Sequence, residues 1–563
     1  MKTLFKNGKV INVFTDSIEE VNVLIEDGII LGVGAYDDRD ADVVEDVSGK
    51  YLCPGFIDGH IHIESTMLTP VELAKLCLPC GTTSVVADPH EIANVCGVEG
   101  IEYMLQASEG LPLQVYVNLP SCVPATPFDE SGAVLTAKEL LPLYAHQRVL
   151  GLAEMMNYPG VLANIPDVLQ KIKDAKAMNK IIDGHAPFLS GKELDAYVSS
   201  GIQSDHECSG IDEAKEKLSK GQWIMIRQGT AARNLLDLLP LFEEPYARRC
   251  VLVTDDRHPA DLQNEGHIDN CIRLAVKSGK SPLTAIRMAT LQTAQCFRIP
   301  YLGAIAPGYR ADILILNDLE SVDVDTVYAN GKKVVERKRV MPIETPAVEK
   351  RLYNAVCNSF HIKKLTPEDF YIQPKTKRCR VIEALAGQLI TNERVEVIDW
   401  EQANGVDVSR DIVKLAVIER HKNTGHIGLG FIKGIGLTKG AIASSVSHDS
   451  HNVIVIGANA EDMTIASNRV CEVGGNVVVL DGKVLAEMPL PVAGLMTEQS
   501  GEEIAKCNEE VRAVAHALGI PENIEPFMNM AFVSLPVIPH LKMSTQGLVC
   551  VDTFSRVSLY VEE

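Results

Sequence analysis

Two histidines one residue apart, His60 and His62, end an apolar run of this 563-residue sequence. Alternate residues of a β-strand point to the same side, so both imidazoles are expected to face one space. Two neutral imidazoles aimed at one point begin a metal site, and they favour Zn, Fe or Mn over Mg or Ca. The alternative is a pair of surface histidines, but Ile57, Ile61 and Ile63 make the run too apolar for an exposed strand.

Polar residues of similar chemistry end three other predicted strands and lie within a fourth. They are Glu154, His185, His206 and the adjacent pair Asp255 and Asp256. Four histidines with two or more carboxylates exceed what one tetrahedral ion needs, and a bridging carboxylate would let the set hold two metals. Adjacent strand residues face opposite ways, so the sequence leaves open whether Asp255 or Asp256 points into the site.

The segment that carries these residues, 54–300, alternates apolar strands with amphipathic helical stretches. Eight strands are predicted, at Phe56–Ile63, Thr82–Pro89, Leu113–Ser121, Val149–Met156, Ile181–Pro187, Ile202–Glu207, Trp223–Gln228 and Val251–Arg257. Eight such units in about 250 residues are typical of a (β/α)8 barrel of the TIM type, whose active site lies at the carboxyl ends of the strands. A doubly wound open sheet is the structural alternative.

Both flanks of this segment are rich in short strands. Turn pairs such as Asn7-Gly8, Asp27-Gly28 and Asn330-Gly331 separate them. We therefore predict one small β-sandwich domain assembled from residues 1–53 and 301–345, and a separate C-terminal α+β domain over 350–563.

Composition narrows the function classes. The chain has 53 basic and 75 acidic residues, a net charge of −22, which disfavours nucleic acid and anionic membranes as partners. No apolar run reaches the length needed to cross a bilayer. Fourteen scattered cysteines without an export signal indicate reduced thiols in a cytoplasm. The size of the chain suggests a homo-oligomer, a dimer or larger.

The strand-end residues resemble those of the amidohydrolase superfamily, and longer motifs resemble its adenine deaminase family. The motifs include Gly59-His60-Ile61-His62-Ile63-Glu64-Ser65-Thr66-Met67, Ala87-Asp88-Pro89-His90-Glu91-Ile92, Gly151-Leu152-Ala153-Glu154-Met155-Met156, Ser447-His448-Asp449-Ser450-His451-Asn452 and Pro489-Leu490-Pro491-Val492-Ala493-Gly494-Leu495-Met496. They are spread over nearly the whole chain. The resemblance therefore covers the predicted C-terminal domain as well as the barrel.

This resemblance implies a binuclear site that uses manganese or iron, with zinc also possible. His60 and His62 would hold the first metal, Glu154 would bridge, and His185 and His206 would serve the second. Asp255 would contact the metal and shuttle protons. Many superfamily members bridge with a carbamylated lysine on strand four, and Glu154 stands at that position here.

The same resemblance implies hydrolysis of adenine to hypoxanthine and ammonia, in purine salvage or catabolism. Asp255, Glu154 and His206 are the candidate catalytic residues. His90, Glu91, Arg227 and Asp256 are candidates for contacting the base, with a loop or salt-bridge role as the alternative. Two other functions stay open at this point: an amidohydrolase for another aminated heterocycle or a cyclic amide, and a catalytically inactive barrel that serves as a binding scaffold.

Overall fold

The computed structural model describes residues 1–230, 232–386 and 388–562. It divides into two units. The first comprises Met1–Pro89, Met104–Ser121 and Thr136–Val348, and the second comprises His90–Tyr103, Cys122–Leu135 and Glu349–Glu563. The predicted domain ranges do not include this contribution of 90–103 and 122–135 to the second unit, and those ranges stay a prediction.

Eight parallel strands form the centre of the first unit, and we number them β1–β8. They are β1 (Phe56–Ile61), β2 (Thr82–Ala87), β3 (Gln114–Leu119), β4 (Val149–Met155), β5 (Ile181–Gly184), β6 (Ser204–Asp205), β7 (Trp223–Arg227) and β8 (Cys250–Val253). Strands β1–β5 form one sheet and β6–β8 another. Backbone hydrogen bonds join the two sheets at both edges, from Gln203 N to Ile182 O (3.0 Å) and from Asp255 N to His60 O (2.9 Å). The strands therefore close into a ring, which confirms the predicted (β/α)8 barrel.

The barrel strands are buried on both faces, as their nearly continuous apolar sequences require. Every residue of β1 and β2 is buried. Gly184 ends β5 where a side chain would not fit, because a Cβ there would lie 2.1 Å from Ser204 O. This close approach brings the chain after β5 next to the chain after β6, and the two predicted histidines His185 and His206 lie on these segments.

Helices connect and follow the barrel strands. Their bounds are Pro70–Cys77, His90–Ala107, Ala137–Leu140, Tyr158–Leu162, Pro166–Ala177, Gly191–Ser199, Ile211–Ser219, Pro259–Glu265, Ile268–Lys277, Pro282–Met288 and Leu291–Cys296. The helix His90–Ala107 is kinked at Gly97, whose φ of 60° lies outside the helical region. Pro, Ser or Thr begins several of these helices, as is usual at an N-terminus.

Strands from both ends of the barrel segment pair in the first unit. A seven-stranded sheet has the order Arg339–Val340, Lys332–Glu336, Val324–Ala329, Ile313–Leu316, Tyr51–Pro54, Lys9–Asn12 and Ser17–Glu20. A four-stranded sheet has the order Ile29–Gly34, Asn22–Glu26, Lys2–Lys6 and Val43–Asp46. A buried apolar cluster that includes Phe5, Ile313 and Tyr328 draws on both flanks. The two flanks therefore build one β structure, as their turn pairs suggest.

The second unit contains an eight-stranded mixed sheet. Its order is Thr391–Val397, Arg378–Ala384, Ile427–Lys433, Val413–Ile418, Val453–Gly457, Ala441–Ser444, Asn476–Leu480 and Lys483–Met488. A three-stranded sheet follows, of Leu541–Ser544, Gly547–Cys550 and Ser555–Arg556. Besides residues 90–103 of the helix His90–Ala107, this unit contains the helices Lys350–Cys357, Ala460–Val473, Gly501–His516 and Pro526–Phe532. Met463, Ala466 and Val470 pack the helix Ala460–Val473 into a core with the sheet.

Among the helices of the described ranges, none is both long enough and apolar enough to cross a membrane. The fourteen cysteines carry free thiols.

Candidate active site

The predicted metal ligands of the barrel lie together at the carboxyl ends of its strands. His60 lies in β1 and Glu154 in β4. His62, His185 and His206 directly follow the ends of β1, β5 and β6, and Asp255 lies two residues after the end of β8. All of them belong to the first unit. They are buried except His185, whose side chain is about a quarter exposed. The barrel thus brings together the six residues that the sequence assigned to one site.

His60, His62 and Asp255 form the first group of ligand atoms close enough to share one ion. Asp255 Oδ1 lies 3.2 Å from His62 Nε2 and 3.8 Å from His60 Nε2. The other ring nitrogens face away from this point. His60 Nδ1 lies 3.6 Å from the buried carboxylate of Asp183, and His62 Nδ1 lies 3.1 Å from Asp88 O. Such outer partners orient metal-binding imidazoles.

Glu154 joins this first group to a second one. Its Oε1 lies 3.5 Å from His62 Nε2, while its Oε2 lies 2.7 Å from His185 Nδ1 and 3.1 Å from His206 Nε2. One carboxylate therefore faces imidazoles of both predicted metal positions with different oxygens. This is the arrangement that a bridging ligand requires.

The donor set fits divalent metal ions. Within the part of the chain that the structure describes, His60 Nε2 is buried without a hydrogen-bond partner. A buried ring nitrogen that is unsatisfied carries a free-energy penalty, which a cation among these carboxylates would remove. The ligand atoms are nitrogen and oxygen with no thiolate, a set that suits manganese, iron or zinc.

Neighbouring charges lower the pKa of two carboxylates of the site, Glu154 and Asp255. Burial by itself raises the pKa of Glu154, but the imidazoles of His206 and His185 hold that pKa well below its usual range. Burial acts in the same direction on Asp255, and there the guanidinium of Arg227 is foremost in holding the pKa well below its usual range. Both side chains are thus available as metal ligands and as proton acceptors near neutral pH.

Glu207 is a site residue that the sequence reading did not select. Its Oε1 lies 3.4 Å from His206 Nε2 and 3.6 Å from His185 Nδ1, so the three side chains form a further group able to hold an ion. Strand alternation predicts that neighbours of His206 point away, but β6 contains only Ser204–Asp205. The alternation therefore ends before His206. In the sequence, only the position of Glu207 directly after the predicted ligand His206 indicates that it could belong to the site.

The comparisons with known proteins agree with this geometry. Residues 51–334 match the amidohydrolase family, and residues 388–555 match the adenine deaminase C-terminal domain. Adenine deaminase 2 of Carboxydothermus hydrogenoformans is 47% identical over 98% of this chain and 96% of its own length. The adenine deaminase of Desulfatibacillum aliphaticivorans is 45% identical over 99% and 97%. The chain belongs to the adenine deaminase family.

In this member of the adenine deaminase family, the geometry favours Asp255 over Asp256 as the strand-eight ligand. Asp255 has a φ of 60° and directs its carboxylate toward His62. Asp256 instead accepts a hydrogen bond from Ser65 Oγ (2.5 Å). A non-glycine residue with positive φ is uncommon and often marks a functional position.

Arg227 lies at the end of β7 and forms ion pairs in the site. Its Nη1 donates to Asp255 Oδ2 (2.7 Å) and to Glu207, its Nη2 donates to Glu207 Oε2 (3.0 Å), and its Nε donates to Asn234 Oδ1 (3.1 Å). Four of its five N–H groups are engaged in these bonds. Ion pairs and one hydrogen bond therefore occupy most of the donors of Arg227, as its alternative role as a salt-bridge residue predicts. Contact between Arg227 and the purine stays a prediction.

The other two predicted base contacts, His90 and Glu91, belong to the second unit. There Glu91 lies between two histidines of the Ser447–Asn452 motif, 3.0 Å from His448 Nδ1 and 3.2 Å from His451 Nε2. His451 Nδ1 accepts a hydrogen bond from Ser447 N (3.2 Å), which leaves its Nε2 toward the carboxylate of Glu91. The motif that the sequence singled out thus anchors Glu91.

Arg227→Met is expected to raise the pH below which activity is lost. Asp255 must be ionised to accept a proton, and Arg227 keeps the pKa of Asp255 well below its usual range. Without the guanidinium this pKa rises, so kcat/KM falls as the pH drops through the new, higher value. Each unit by which the pKa rises moves the acidic limb of the profile by about one pH unit.

The pH profile of kcat/KM measures this shift. Arg233→Met is the matched control, because Arg233 lies on the same connection but is 42% exposed and pairs with Asp261 and Glu265. An acidic limb that is the same in Arg227→Met and in the parent would contradict the assigned role of Arg227.

Proposed function

We propose that this chain hydrolyses adenine to hypoxanthine and ammonia at a binuclear metal site in its first unit. The single observation that carries the mechanism is the position of Glu154, whose two oxygens face histidines of both metal groups. Identity of 43–47% over nearly the full length of curated adenine deaminases supports the substrate.

The geometry supports a set of residues that would hold the metals. His60, His62 and Asp255 would hold the first ion, His185 and His206 the second, and Glu154 both. We propose manganese or iron as the metal, with zinc as the alternative, because the ligands are imidazoles and carboxylates. A divalent metal at this site supplies Lewis acidity, which lowers the pKa of water toward neutrality.

Asp255 is the residue that we assign to proton transfer. The reaction forms a C6–O bond and breaks the C6–N6 bond, so one proton of the attacking water must reach ring nitrogen N1 and the other must leave with ammonia. Asp255 is ionised and buried, and its Oδ1 faces the metal group while its Oδ2 accepts from Arg227. Asp255 can take a proton from water and deliver it to N1 of adenine. Glu154 and His206 contribute by holding the metals.

Arg227 and Glu207 restrict how the carboxylate of Asp255 can move. Because Arg227 bonds to both carboxylates, Asp255 is fixed with one oxygen toward His62. A general base that is fixed in this way needs little reorganisation when it takes up or releases a proton. His90, Glu91 and Asp256 remain predicted contacts of the purine.

We also propose a cytoplasmic location and a homo-oligomeric state for this chain. The fourteen free thiols support a cytoplasmic location, where thiols stay reduced. A homodimer or a larger homo-oligomer is proposed from the size and class of the chain.

Ammonia release from adenine tests the proposed function. The protein is purified from manganese-supplemented cells and assayed with adenine, and with adenosine and cytosine as controls. The proposal predicts turnover of adenine that is lost in His185→Ala. Absence of adenine turnover in a protein that still contains two metal ions per chain would overturn the substrate assignment and leave the metal site standing.

A further inference from the structure

The ammonium of Lys217 is fully buried and bonds to residues adjacent to the second pair of histidines, His185 and His206. The side chain of Lys217, on the helix Ile211–Ser219, has no exposed surface. Its Nζ donates to Asp205 Oδ2 (2.5 Å), Glu213 Oε1 (2.7 Å) and Ala186 O (2.7 Å). These three acceptors satisfy all three N–H groups of the ammonium. Burying a charge is unfavourable unless it is paired in this way, so the arrangement calls for a functional explanation.

The acceptors of Lys217 belong to the two segments that carry the second pair of histidines. Asp205 directly precedes His206, and its Oδ1 accepts from Glu207 N (2.6 Å). Ala186 directly follows His185. Glu213, which pairs with Lys217, also accepts from Phe188 N (2.8 Å) on the same segment. One ammonium thus ties the chain after β5 to the chain after β6.

The first metal group is held by a different buried network. Asp58 Oδ1 accepts from His60 N (3.2 Å) and Thr254 N (3.2 Å), which fixes the end of β1 to the end of β8. Asp58 Oδ2 lies 3.1 Å from His267 Nε2. Neither Asp58 nor His267 is among the hydrogen-bond partners of Lys217. Asp183, which orients His60, lies within β5 and does not bond to Lys217 either. Among the described residues, and apart from Glu213 on its own helix, Lys217 therefore bonds only to the segments that carry the second pair of histidines.

We propose that Lys217 is a positioning residue of the second metal position, which it serves by fixing the distance between His185 and His206. This inference rests on the proposed binuclear site. Loss of the ammonium frees the two segments and leaves the buried carboxylate of Asp205, next to His206, without its counter-ion. Outer partners of metal ligands typically contribute about 10- to 100-fold to metal affinity. The affinity for the first ion is expected to stay unchanged.

Titration of the metal-free full chain with Mn²⁺ tests this inference, with the electron paramagnetic resonance signal of free Mn²⁺ as the readout. His185→Ala identifies which of the two binding phases belongs to the second position, and His60→Ala identifies the first. Lys217→Met is expected to weaken the His185 phase by about 10- to 100-fold and to leave the His60 phase as in the parent. A purely structural role would not weaken one phase alone.

Arg148→Met is the matched control. Arg148 is another buried cation of the barrel, but it precedes β4 at the opposite end, where it donates to Ser108 Oγ (2.8 Å) and Val115 O (3.3 Å). We expect this variant to keep both binding phases. If Lys217→Met does not fold, the double variant Asp205→Asn/Lys217→Met removes the carboxylate left without a counter-ion, and the same criteria apply to it.

Each outcome is decisive. Two unchanged phases in the Lys217 variant, or equal weakening of both phases, overturn the inference while the binuclear site stands. A parent chain that binds fewer than two ions overturns the binuclear site and this inference together. Selective weakening of the His185 phase supports both.

Discussion

Glu154→Gln is expected to lower kcat/KM for adenine by about 10³-fold or more and to leave fewer than two metal ions per chain. The substitution keeps the size of the side chain but replaces an anionic oxygen by an amide NH2, which cannot bind a cation. Glu154 lies 2.7 Å from His185 and 3.1 Å from His206, and its other oxygen lies 3.5 Å from His62. The amide therefore faces one metal group or the other with its NH2, and the two positions lose their shared anion.

Metal analysis together with adenine turnover measures this effect. Glu72→Gln provides the control, because Glu72 is a buried carboxylate of the same unit that pairs with Lys75 (2.6 Å) and belongs to none of the candidate metal groups of the described residues. It should keep two metal ions and its activity. Retention of two ions and of full turnover in Glu154→Gln would show that this carboxylate does not bridge.

Asp255→Asn is expected to reduce kcat by about 10²- to 10⁴-fold, the range that general acid–base groups contribute. The amide cannot accept the proton of the attacking water. His60 and His62 keep their positions, since Asp183 and Asp88 orient their outer nitrogens. Asp255 is also a proposed ligand of the first ion, so we expect that ion to bind more weakly. The amide oxygen of asparagine can still face the ion beside the two histidines, so at saturating Mn²⁺ both ions should be bound and the loss of kcat should persist. Binding of adenine should change less than kcat, because the lost step is chemical.

Asp256→Asn separates this role from a general effect of the neighbouring charge. Asp256 accepts a hydrogen bond from Ser65, and an amide oxygen can accept the same bond. Because Asp256 stays a predicted contact of the purine, KM can rise in this variant, but kcat is expected to stay within about fivefold of the parent, which corresponds to about 1 kcal/mol. A loss in Asp256→Asn as large as that in Asp255→Asn, measured by steady-state kinetics at pH 8, would contradict the assignment of the strand-eight ligand.

The barrel and the candidate metal ligands could be predicted because the apolar runs of the strands, and the polar residues at their ends, are local features of the sequence. Each apolar run predicted as a barrel strand is a strand in the structure, although the ends are shorter, as with β6 at Ser204–Asp205 against the predicted Ile202–Glu207. The turn between Asn22–Glu26 and Ile29–Gly34 was readable from Asp27 and Gly28, which have the positive φ that such hairpins need. Strand register predicts that His60, His62, Glu154, His185 and His206 lie at one end of the barrel, where the structure has them. Their role as metal ligands stays a prediction.

Other features depend on tertiary structure that a single sequence does not encode locally. The choice between Asp255 and Asp256 depends on a positive φ after β8. Glu207 faces the site only because β6 ends two residues before it. The edge strand Thr391–Val397 of the second unit is mostly polar and exposed, so it lacks the apolar alternation that predicts a strand. Helical sequence at 90–103 does not reveal which unit it joins.

The dependence of adenine turnover on bound metal is the most direct test of a binuclear site that Glu154 bridges. Metal-free full-length chain is titrated with Mn²⁺, and ammonia release from adenine is measured at each addition. A binuclear site with Glu154 as its bridge predicts that activity continues to rise until two equivalents are bound. Full activity at one equivalent, or turnover that does not depend on metal, would contradict this account.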